Sequence, residues 1–125
     1  MAAGTTHLGI TSGEFGGNSF VAFQLPATSG TGTPNLVDYA GAIMPATPDG
    51  RGFSAGYDPH TITAYTSPNN GKAYGLIADW SLGQPSYVGV IDLQALLKAS
   101  RTAAHTVDPT IDLVAAGIVR YVAVP

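Results

Sequence analysis

The side chains most able to do chemistry in this 125-residue chain are three histidines and eight carboxylates, with no cysteine and a single glutamate, Glu14. His60 stands in Asp58-Pro59-His60-Thr61, His7 opens the run His7-Leu8-Gly9-Ile10-Thr11, and His105 lies in SRTAAHTVD. Neutral imidazole is a good ligand for zinc, and a catalytic zinc site wants three protein ligands plus one open position. Water on such a metal ionises near neutral pH and becomes a nucleophile, for which a nearby carboxylate can act as general base. His60 and His7 are therefore the candidate ligands of a divalent metal, zinc first among them. Glu14 and Asp79 are the candidate bases, because they follow two apolar runs of similar pattern. No HxH or HExxH spacing concentrates the ligands, so the fold has to bring them together. DPHT also reads as a turn in which Asp58 caps, Pro59 fixes φ and His60 bonds to backbone. His105 reads as a surface residue, and Asp49, Asp92 and Asp108 as turn or cap residues.

Other chemistries lack their residues. No glycine-rich phosphate loop stands ahead of a helix. Without cysteine, disulfides and thiolate metal sites are excluded. The five basic residues are scattered and the net charge is −3, so no footprint for nucleic acid is expected. No run approaches the roughly 20 apolar residues of a membrane-spanning helix. MAAGTTHLGI lacks a basic segment followed by an apolar one and does not read as a signal peptide, which leaves the compartment open. Among the aromatic residues, Trp80 is the first candidate to line a pocket.

The elements that must position these residues are strands. Charged residues make up 10% of the chain, against roughly 25% in average proteins, while glycine and proline are plentiful. That composition suits an all-β domain with many turns, or one that hides its surface against copies of itself. Strands are expected at His7–Thr11, Ser19–Leu25 and Val37–Met44. A three-stranded antiparallel meander is expected over Thr61–Thr66, Lys72–Ala78 and Ser86–Ile91, with Asn70-Gly71 as a tight hairpin turn. Leu93, Leu96 and Leu97 then change the period to that of a helix, with Asp92 as N-cap. SRTAAHTVDPTID reads as a connection, and Leu113–Val124 as one or two last strands.

Laid side by side, HLGITSGEFGG-NSFVAFQL matches AYGLIADWSLGQPSYVGVIDL, and Leu36-Val37-Asp38 then falls over Thr106-Val107-Asp108. The chain reads as a single domain of two repeat units, about 5–50 and about 56–125. Repeated meanders joined by long loops are the mark of a β-propeller. DPHTITAYTSPNNGKAYGLIAD resembles the inner-strand hairpin of bacterial propeller repeats of the lactonase-like, NHL and LVIVD kinds, and SYVGVIDLQALL resembles their third strand.

The resemblance implies about two antiparallel propeller blades at the C-terminal end of a larger propeller. Two blades cannot close a ring, so homo-oligomerisation is expected to complete it, a trimer of six blades being favoured over a four-bladed or domain-swapped dimer. The alternative without assembly is a small β-sandwich whose two sheets cover each other. It also places His60 at the mouth of an axial channel, where His7 would join it within a chain or between chains. The implied function is a metal-dependent hydrolase acting on a small-molecule ester, lactone or phosphotriester. The alternative is a non-catalytic propeller module for binding or interaction, since fold alone does not fix activity.

Overall fold

Alternating and continuous apolar runs become strands in a computed structural model that describes residues 6–12, 19–26, 38–49, 59–79 and 86–124. β1 (Thr6–Ser12), β2 (Ser19–Pro26) and β3 (Asp38–Ile43) form an antiparallel meander. β4 (Pro59–Thr66), β5 (Ala73–Asp79) and β6 (Ser86–Asp92) form a second one. The helix α1 (Leu93–Lys98) follows, and then β7 (Arg101–Ala103), β8 (Thr106–Val107) and β9 (Val119–Val124). The first sheet has the order β1-β2-β3-β8-β7 and the second β4-β5-β6-β9. Pairing is antiparallel apart from one parallel bridge between Gly41 and Thr106. The protein is thus predominantly β, and the described residues form two open sheets without a closed barrel.

The sheets stack face to face. Ile10 of β1 lies over Gly75 of β5, where a Cβ would stand 2.5 Å from Ile10 Cδ1 and 3.2 Å from Leu93 Cδ2. A Cβ there would push the tip of Ile10 aside, so glycine suits this close approach. Phe20, Ala22 and Ala40 of the first sheet and Ile77, Ile91 and Val119 of the second are buried in this layer. Leu93 and Leu96 of α1 are buried with them, so the helix closes one end of the core. Asp92 caps α1 by accepting from the Ala95 N–H at 3.0 Å, and its other oxygen meets Lys72 Nζ at 3.3 Å. Tyr121 of β9 donates its hydroxyl to the Pro45 carbonyl at 2.6 Å and ties the second sheet to the end of the first.

Four local expectations are corrected. The β4–β5 hairpin is not a two-residue turn: Ser67 and Lys72 close a four-residue loop, and Gly71 takes φ +72°. Asn70 holds it by accepting from the Lys72 N–H at 2.9 Å and donating to the Tyr74 hydroxyl. The stretch expected as a plain connection contains β7 and β8. Residues 113–117 are turns rather than strand, because Asp112 accepts from the Val114 and Ala115 N–H groups and coils the chain. Finally, Thr106-Val107 does not occupy in the second sheet the place that β3 holds in the first. It pairs with β3 itself, and β9 takes the place beside β6.

Candidate functional site

The first candidate is the end of β4 and β5. Pro59 stands opposite Asp79 and Thr61 opposite Ala78, so His60 is the extra residue of a β-bulge on an edge strand. Bulges re-aim a side chain and interrupt pairing, and they recur next to active sites. At the level of the backbone the fold therefore brings His60 and Asp79 together. Their side chains, and all of Glu14 and Trp80, lie outside the described residues.

His7 is placed elsewhere. It is exposed on β1 opposite Leu25, next to Leu8, which lines a pocket of about 240 Å³ with Gln94, Leu97 and Lys98 of α1. That is the end of the molecule where Asp92 starts α1 opposite Tyr74. His60 sits at the other end of the β4–β5 hairpin, roughly 20 Å of strand away. Within one chain the two histidine positions thus lie at opposite ends of the sheets. Among the described residues no three histidine, cysteine, aspartate or glutamate side chains converge on one point, so these residues alone do not supply a donor set for zinc.

His105 forms a cluster that no spacing in the sequence announces. Its ring stacks on Tyr39 with centroids 3.6 Å apart, and Nδ1 lies 2.9 Å from the Tyr39 carbonyl. Beside it Arg101 grips Asp38 with two hydrogen bonds of 2.9 and 2.7 Å, and donates to the Leu97 and Ala104 carbonyls. The Arg101 hydrogen bonds hold the Asp38 carboxyl below its ordinary value, against partial desolvation, and the Tyr39 N–H assists. The Arg101 pKa is raised in return. Asp38, Arg101 and His105 Nδ1 all meet structural partners, and the result is a clamp that fastens the β7–β8 hairpin onto β3.

A cleft of about 1120 Å³ runs between the ends of β2 and β3 and the 106–114 segment, with Ile43, Met44, Leu113 and Val114 among its walls. Asp108 and Asp112 stand in its lining, but both are engaged. Asp108 accepts from Thr110, whose bonds lower its pKa, and Asp112 caps its own turn. No acid–base pair faces the cleft from these residues.

The widest feature is the pair of outer sheet faces. Cross-strand neighbours share a face, so Val21, Phe23, Leu25, Tyr39 and Ile43 lie together on the side of the first sheet away from the core. On the second sheet Tyr65, Tyr74, Leu76, Val88, Val90, Val122 and Val124 do the same. All are half-buried or exposed, with Ile43 at 53% and Tyr65 at 49%. A free-standing antiparallel pair of sheets normally turns polar residues outward. Here both outer faces carry many apolar residues, interspersed with His7 and Thr11 on the first sheet and with Thr61, Thr63, Asp92 and Arg120 on the second. No family model, curated protein or solved structure matches this chain.

Proposed function

We propose that the chain is a non-catalytic interaction module of β-propeller type, whose two sheets act as blades and are completed by further sheets. The observation that supports this reading is the apolar character of both outer faces. Sheets buried on both sides read as nearly continuous apolar runs, as SFVAFQL and YVGVI do. Copies of the same chain are the proposed partners, and three of them would supply six blades. The test is light scattering of the purified chain after size exclusion. A mass near three times 12.7 kDa is expected, and a stable species of 12.7 kDa at micromolar concentration overturns the reading.

A second reading, a metal-dependent hydrolase of an ester, lactone or phosphotriester, is supported by the bulge that sets His60 beside Asp79. His60 and Asp79 would be its first ligand and base, with Glu14 and a His7 from another copy as the remaining candidates. Metal analysis of protein purified without a histidine tag tests it. Stoichiometric zinc that is lost in His60→Ala, with the fold intact, favours the enzyme. Metal-free protein with no hydrolysis of aryl esters, lactones or phosphotriesters on adding zinc leaves the interaction module.

A further inference from the structure

Resting on the interaction-module reading, we infer that copies associate head to tail, the outer face of the first sheet stacking on the outer face of the second sheet of the next copy. Three observations carry this. The chain already shows that its sheets stack in this manner, since Ile10 seats over Gly75 across the inner layer. Charge is sparse on the described parts of both outer faces. On the described part of the first face the ionisable groups other than tyrosine are His7, beside Leu25, and His105, stacked on Tyr39. On the second, Arg120 lies opposite Val90, and Asp92 is already held by Lys72 and the helix cap.

Size points the same way. Four strands of about seven residues give a footprint of roughly 450 Å² before side-chain relief is added. That is of the order of the ~800 Å² per partner of an ordinary stable interface.

The two faces lie on opposite sides of one molecule, which decides the symmetry. A symmetric contact of like face on like face covers one of them and leaves the other bare. A single head-to-tail contact covers both on every copy, and it closes into a ring when the rotation per copy divides a full turn.

The absence of cysteine makes the test direct. Val21→Cys marks the first face and Val88→Cys the second; both positions are half-buried, and both substitutions are small. The variants are made singly, co-expressed as a pair, and combined in one chain, then treated with a bismaleimide spanning about 10 Å, the usual distance between stacked sheets. Cross-linked dimers are expected from the co-expressed pair and not from either variant alone. The double variant should give covalent multimers up to the size of the assembly.

Cross-linking of Val21→Cys with itself, or of Val88→Cys with itself, overturns the head-to-tail inference while an oligomeric mass keeps the interaction module. An oligomer that yields no cross-link in any combination also overturns the inference and leaves the module. A monomer by light scattering removes both. If a cysteine variant fails to fold, as judged by circular dichroism, Val90→Cys on the second face and Leu25→Cys on the first replace it.

Discussion

At the residue scale, Asp38 and Arg101 show how much structure two side chains sixty-three positions apart can hold without leaving a trace in local pattern. Because Arg101 depresses the folded-state pKa of Asp38, the pair stabilises the fold above the unfolded carboxylate's pKa, about 3.8, and loses that contribution as pH falls through the lower folded value. Asp38→Asn should therefore be less stable than the parent at neutral pH, and the gap should close in strong acid. The pair is half-exposed, so the gap should be about 1 kcal/mol or less. Urea titrations from neutral pH down to about pH 2 would check it. A gap that stays constant through that range would show that Asp38 acts by some means other than its charge. Arg101→Ala should cost more, about 1–2 kcal/mol, because the Leu97 and Ala104 carbonyls lose their donor as well. Asp92, by contrast, was legible as a cap from its place ahead of Leu93, Leu96 and Leu97, because capping is set by neighbours in sequence. The surface position read for His105 is borne out by its exposure, but its stacking on Tyr39 is a contact between strands far apart in sequence that periodicity does not encode.

At the element scale, the strands were legible and their partners only partly so. β-Branched and aromatic runs placed β1 through β6 within two residues of their ends, since alternation and turn residues are local signals. The short β7–β8 hairpin escaped because three- and two-residue strands have no period to read, and their pairing depends on β3 and the Arg101 clamp. The hairpin loop differed because Asn70 bonds to its own backbone neighbour and only Gly71 need adopt positive φ. Three variants test these element ends. Gly71→Ala should cost about 1 kcal/mol, since φ +72° is strained for any residue with a Cβ although open space surrounds it. Asp92→Ala should also cost about 1 kcal/mol through the cap, while Asp92→Asn should lose only the weaker Lys72 pair. Ile62 faces Ile77 across the β4–β5 ladder and packs on the core from an edge strand. Ile62→Asp should therefore lower stability by about 2 kcal/mol or more and lose the assembly with it. Denaturant midpoints order the four variants, and wild-type melting of Ile62→Asp would show that β4 is not needed to hold the sheet.

At the scale of the whole molecule, the governing fact is that burial is one-sided while hydrophobicity is two-sided. The inner layer takes Phe20, Ile77, Ile91, Leu93 and Val119 out of water, yet Val21, Phe23, Leu76, Val88 and Val122 repeat the same chemistry on the far sides. With so few charges, any assembly through those faces is driven by apolar burial rather than ion pairing. Such an association has a recognisable response to conditions. Raising sodium chloride from about 0.05 to about 1 M should not weaken it, because exposed charge pairs, which salt would screen, contribute little. Sulfate should strengthen it, and cooling toward 0 °C should weaken it, because hydrophobic stabilisation fades as temperature falls. Sedimentation velocity across concentration, salt and temperature reads all three responses on one sample. Dissociation by sodium chloride at constant temperature would mean that charged groups away from the sheet faces hold the contact. The interface would then have to be sought at the sheet edges and the ends of the strands, where His60 and Asp79 lie, instead of across the sheet faces.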